Sequence, residues 1–213
     1  VQWFLDIGLS QAQVVKAIAI AGCPQILGLS IEGNMKPTVQ WFCDIGLSQA
    51  QVVKVIAMKP QILGLSIEEN LKPTLQWFLY IGLTNDQVVN VVANYPSTLG
   101  FGVEKNVKPA RQWFLELGIN KHKFVDMVAS FPIILGLRIE QNLKPKQALL
   151  VSAFGRSEAA TLISNHPRVL SYSYQRLDTR LTVLVERNET HLLLSAMQYD
   201  ETRFAKRFPH EPK

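Results

Sequence analysis

Four lysines, Lys36, Lys72, Lys108 and Lys144, recur every 36 residues, and the last third of the chain prefers arginine: Arg156, Arg168, Arg176, Arg180, Arg187, Arg203 and Arg207. Cations at fixed spacing are side chains suited to a polyanion. A guanidinium forks onto phosphate through paired N–H donors, whereas an ammonium acts as a point charge. Packed helices lie about 8–10 Å apart and duplex DNA rises about 3.4 Å per base pair. One helical repeat therefore advances about three base pairs, and a lysine ladder can track a phosphate backbone. The lysines have a second reading. Each follows a glutamate by four residues, at Glu32, Glu68, Glu104 and Glu140, the order that supports an exposed helix by about 0.2–0.5 kcal/mol. Among the arginines, Arg176 and Arg180 are four apart and Arg187 follows seven later, so all three can share one helical face. Arg203, Lys206 and Arg207 make a second cluster, and Arg111, Lys146, Arg156 and Arg168 are lesser candidates. The alternative for these residues is a solvated basic surface on a terminal cap, which repeat arrays need for solubility.

Other chemistry finds little support. His122, His166, His191 and His210 occur at unrelated phases, without a cysteine or carboxylate at ligand or triad spacing. No Gly-rich phosphate loop or metal pattern is present. An enzyme, a cofactor and a small-molecule substrate are not expected. Cys23 and Cys43 lack the spacing of a metal site or disulfide framework. Cys43 takes the phase of Leu5, Leu79 and Leu115, so it reads as a small core hydrophobe. No stretch approaches eighteen uninterrupted apolar residues, so no membrane span is expected. The aromatics Trp41, Phe42, Trp77 and Phe78 could stack on unpaired bases, but their phase assigns them to a core. Asn34, Asn70, Asn106 and Asn142 read as local capping or turn chemistry.

The elements that must carry these residues are spelled repeatedly. PQILGLSIEGNMKPTVQWF at 24–42 returns as PQILGLSIEENLKPTLQWF at 60–78 and, more loosely, as PSTLGFGVEKNVKPARQWF at 96–114. Trp3, Trp41, Trp77 and Trp113 mark the beat. So do two sets of prolines 13 apart: Pro24, Pro60, Pro96 and Pro132, then Pro37, Pro73, Pro109 and Pro145. Unit one carries two extra residues within 18–24, and a faded fifth unit runs from Pro145 to Leu177. In the unit from Gly46 to Gly82, Ser48 and Gln51 form a capping box before a helix at 49–58, which Pro60 stops. Ser10/Gln13 and Thr84/Gln87 repeat that box, while Asn120 keeps the cap without the glutamine. PQILGL predicts a crossing of the stack as a turn or one loop of 3₁₀ helix. Ser66 with Glu69 is a further capping box, opening a second helix near 67, with Pro73 in or just after its first turn and Gly82 at its end. Leu71, Leu75, Phe78 and Leu79 share one face of that helix, widened by Trp77 and Ile81, with Lys72, Gln76 and Tyr80 opposite. Each unit thus has an apolar side that only stacking can hide.

These units resemble the repeat of the mitochondrial transcription termination factor (mTERF) family, in the pattern G-[LI]-[STN]…[VI][VI]…P…L-G-L-x-[IV]-E-x-N-[LMV]-K-P…W-F. Residues 167–187 resemble the family's last full repeat, with Arg180 where earlier units have proline, and 192–208 its closing helix. The resemblance implies an all-α solenoid, two helices and a short 3₁₀ turn per unit, curved into a half-doughnut superhelix. It would be one repeat domain over 1–213, with units at about 1–36, 37–72, 73–108, 109–144 and 145–180 and a cap at 181–213. It implies a mitochondrial or chloroplast protein that binds double-stranded DNA or RNA through a basic face and regulates transcription termination or transcript and ribosome maturation. The family often carries a basic residue after the motif proline; this chain has Thr38, Thr74, Ala110 and Lys146 there.

The formal net charge is +5. Residues 1–144 hold twelve Lys/Arg against ten Asp/Glu, and residues 145–213 ten against seven. The near-neutral N-terminal units keep a second function open, a protein-binding repeat scaffold without nucleic-acid contact. Residues 1–19 match 39–57 at 17 of 19 positions, and 24–38 match 60–74 at 13 of 15. That closeness points to recent copying, with some repeats only extending the scaffold. The chain opens in mid-unit at Val1-Gln2-Trp3, which reads as a fragment whose N-terminal part is missing.

Overall fold

A computed structural model describes residues 2–15 and 24–209. Cys23, His210 and the two-residue insertion before Pro24 lie outside the described residues. The described residues are helical, with no strand among them. They fall into two compact blocks, Val1–Lys108 and Pro109–Lys213, divided where one repeat ends and the next begins.

In the first block, α1 (Gln2–Asp6) and α2 (Gln11–Val15) precede α3 (Lys36–Asp44), α4 (Gln49–Met58), α5 (Lys72–Ile81) and α6 (Asn85–Asn94). The first helix of each repeat forms where the capping residues require. The Ser48 hydroxyl accepts from the Gln51 amide while Gln51 Oε1 accepts from the Ser48 amide, and Thr84 with Gln87 repeats the arrangement. Val52, Val55 and Ile56 are then fully buried where α4 packs on α6. The prolines open 3₁₀ turns at Pro24–Gly28, Pro60–Gly64 and Pro96–Gly100, which stack in a row.

The second helix of each repeat differs from expectation in its first turn. Ile31–Met35, Ile67–Leu71 and Val103–Val107 are π-helical. The Leu71 amide reaches Ser66 O at 3.2 Å, five residues back. A proline two residues further on supplies no N–H and clashes with the carbonyl four residues earlier; the wider turn accommodates it. The same widening alters the cap. Ser66 Oγ accepts from the Glu69 amide as expected, but the return bond to the Ser66 amide comes from Asn70 Oδ1, not from Glu69. The helical wheel slips as well. Leu71 lies in the π segment, so its phase does not run on into α5. The buried face of α5 is Thr74, Trp77 and Phe78, while Leu79 is 38% exposed and Cys43, at the same phase, is half-buried. Gly82 ends α5 at φ 113°, a conformation an L side chain rarely adopts.

The second block holds α8 (Lys121–Ser130), α9 (Lys144–Phe154), α10 (Arg156–Asn165) and α11 (Tyr174–Glu186), then two short cap helices, α12 (Leu193–Ala196) and α13 (Glu201–Arg207). Helix α7 (Lys108–Leu117) begins at the block boundary. Here α10 packs on α8 and α9, α11 packs on α9 and α12, and the 3₁₀ turns Pro132–Gly136 and Pro167–Ser171 stack. A π turn recurs at Ile139–Leu143. The link between α9 and α10 shrinks to Gly155 alone.

Candidate nucleic-acid interface

The lysine ladder is already engaged. Lys36 Nζ lies 2.6 Å from Glu32 Oε1, Lys108 Nζ 2.5 Å from Glu104 Oε1 and Lys144 Nζ 2.6 Å from Glu140 Oε1, and Lys72 holds Glu68 in the same way. Each pair bridges the π turn and the start of the following α-helix, and both side chains remain solvated. Such exposed pairs contribute little stability and can exchange partners.

Arg176 and Arg180 of α11 and Arg187 just past its end share a face, but Arg180 is a correction: its side chain is 1% exposed. It sits between Leu177, Leu181 and Leu184 on the buried stripe of the helix. Its guanidinium donates to Ala196 O at 2.5 Å, Tyr199 O at 2.8 Å and Glu201 Oε1 at 2.7 Å, with its carbon 4.7 Å from the Phe204 ring centroid. Arg176 also turns towards the cap, donating to Met197 O at 3.1 Å and to Tyr199 O, with its guanidinium over Tyr172. Arg187 bonds Glu189 at 3.0 Å and Pro209 O at 3.3 Å. That hydrogen bond, more than the charge behind it, holds the Glu189 carboxyl below its usual range. These residues fasten residues 188–209 to α11.

Lys146 is the second correction. The position after the motif proline points inward, as Thr38, Thr74 and Ala110 do, and Lys146 is 2% exposed. Its ammonium donates to Asn142 Oδ1 at 2.6 Å and Leu170 O at 2.7 Å, and burial pushes its pKa below the ordinary value. The basic residue that the family pattern made a contact candidate is here a core strut.

The exposed candidates are Arg168, Arg203, Lys206 and Arg207. Arg168 lies over Phe131 at 5.4 Å and Arg207 over Phe208 at 5.6 Å, while Arg203 Nε is 3.8 Å from Asp200 Oδ2. Lys121, Lys123, Arg138 and Arg156 add exposed cations in the same block. The block boundary also divides the charge. Residues 1–108 carry seven Lys/Arg and seven Asp/Glu, whereas residues 109–213 carry fifteen and ten, the whole net charge of the chain. The tryptophans Trp41, Trp77 and Trp113 are 6–8% exposed and each packs edge-on against the following phenylalanine, as core residues.

The mTERF family model matches residues 1–205, across the repeats and into the cap. The chain belongs to the mTERF family. A search of curated proteins finds no match to it. In this mTERF chain no group of three His, Cys, Asp or Glu able to hold a metal exists among the described residues. None of the described helices is long and apolar enough to cross a membrane. Sequence reasoning passed over Lys123, although the loss of the capping glutamine at that position was the visible signal.

Proposed function

We propose that this mTERF protein is an organellar gene-expression regulator that binds nucleic acid through its phosphate backbone, acting in transcription termination or in transcript or ribosome maturation. The observation that carries this reading is the concentration of net charge in residues 109–213 of a chain matched by the family model over nearly its whole length. The contact set consists of the exposed cations Arg168, Arg203, Lys206 and Arg207, with Arg176 and Arg187 at the margin. The ladder residues Lys36, Lys72, Lys108 and Lys144 join only by releasing their glutamates. Mitochondrion or chloroplast is the corresponding address.

The test is binding of duplex DNA, duplex RNA and single strands across a salt series. Affinity that falls steeply with salt, as released counterions require, is the expected result. No binding at low salt refutes the reading. A protein-binding scaffold then takes its place, an alternative favoured by the charge-balanced first block and its closed Glu–Lys pairs.

A further inference from the structure

The repeats supply their own controls, because one position can be compared across copies. In the first block a valine of each first helix packs on the glycine that ends the preceding repeat. A Cβ built on Gly8 meets Val53 Cγ2 at 3.5 Å, and one on Gly46 meets Val89 Cγ2 at 3.5 Å. Between α8 and α10 the valine is replaced by Ala160, and a Cβ on Gly118 meets nothing within 4 Å. The result is a groove of about 610 Å³ whose walls include Gly118, Lys123, Arg156, Ser157, Ala160 and Thr161.

Three further departures fall in the same groove. The capping glutamine of Gln51 and Gln87 becomes Lys123, so the helix gives up half of a capping box and gains a cation. Gln49 and Asn85 become Arg156, and Ala50 and Asp86 become Ser157. The changes remove bulk and add two positive charges, and no carboxylate lines the groove. Both cations are held at its edge. Lys123 Nζ is 3.4 Å from Asn165 Oδ1, and Arg156 donates to Glu116 O at 2.5 Å. The latter bond resembles the reach of Gln49 to Ile7 O at 3.0 Å in the first block, with its acceptor one residue earlier in the repeat. A glutamine therefore suffices for the staple, and the guanidinium brings charge and further donors.

We propose that the groove between α8 and α10 is a phosphate-binding site that takes a phosphodiester of the bound nucleic acid, held by Lys123 and Arg156. The proposal rests on the reading of the protein as a nucleic-acid binder and gives that reading a specific contact.

The experiment restores the repeat pattern. Lys123→Gln with Arg156→Gln removes the charge but keeps residues that other copies use at these positions, and Ala160→Val restores the valine over the glycine, narrowing the groove without changing charge. Nucleic-acid affinity is measured against salt for each, with thermal melting to confirm the fold. The expected result is a salt slope lower by up to about 0.9 per lost phosphate contact in the double variant, and weaker binding in Ala160→Val, with melting unchanged or raised. Wild-type affinity in both variants overturns the groove and leaves the nucleic-acid reading standing. If the wild-type protein binds no nucleic acid at low salt, the functional reading fails. Titration with pyrophosphate, followed by amide NMR shifts, then decides the site. Saturable shifts at 118–123 and 156–165 that Ala160→Val abolishes keep a phosphate site for a free ligand, and their absence overturns it.

Discussion

An arginine as enclosed as Arg180 persists in a core because its surroundings are carbonyls. It binds the exposed ends of the α12 turn, where the last carbonyls of a helix lack intrahelical partners, and one carboxylate. Its Nε and that of Arg176 are buried without an acceptor, so the arrangement is not free of cost. Lysine cannot reproduce the fork. Arg180→Lys should therefore lose about 2 kcal/mol in urea denaturation, the scale of hydrogen bonds made by a charged donor, with little change in the salt dependence of nucleic-acid binding. A change in that slope without destabilisation would return Arg180 to the contact set. Lys146 makes a pH prediction. Its pKa is lower in the folded chain than in the unfolded one, so in the alkaline window between the two values the unfolded state holds more protons and stability rises with pH. Relative to Lys146→Met, the wild type should gain stability as the pH rises from its lowered folded value towards the ordinary lysine value of about 10. Movement the other way would mean that the ammonium is favoured by Asn142 and Leu170. Both burials left traces in the sequence: Arg180 interrupts an apolar stripe at 177, 181 and 184, and Lys146 stands in a column of small residues. The spacing of the arginines showed a shared face but not which way it pointed, because that depends on the cap that closes over it.

At the scale of elements, the helix Gln49–Met58 was legible in the sequence, since a reciprocal cap and a following proline leave a ten-residue segment little freedom. The second helices were legible in extent but not in their opening turn. Capping rules assume the α spacing, and a proline seven residues past the Ser66 cap imposes the π spacing. The consequence is measurable. Asn70→Ala should cost about 0.5–1 kcal/mol by leaving the Ser66 amide without its acceptor, while Glu69→Ala should cost less, and the order would reverse if the turn were α-helical. Thr74 marks the same turn, donating to Asn70 O at 2.9 Å from a buried position.

At the scale of the whole molecule, the net charge divides with the blocks. Neutralising Lys36, Lys72 and Lys108 together should free three glutamates and leave the first block negative, so it should weaken nucleic-acid binding only through the long-range field. Neutralising Arg203, Lys206 and Arg207 should lower the salt slope by up to about 0.9 for each phosphate lost. Equal slopes for the two triple variants would place direct contacts in the first block as well. The helical-repeat fold was plain in the sequence because every copy solves one packing problem with one vocabulary. The exposed contact set was not, since which cations stay outside depends on how each copy departs from the others.

The pairing of Lys36 with Glu32, Lys72 with Glu68 and Lys108 with Glu104 has a consequence for how such an array can grow. Each of the segments 1–36, 37–72 and 73–108 contains as many acids as bases. Duplicating one of them lengthens the protein while leaving the monopole that a distant polyanion senses unchanged. Gene-level copying can thus edit reach separately from attraction, and two nearly identical segments side by side are the trace such an edit would leave.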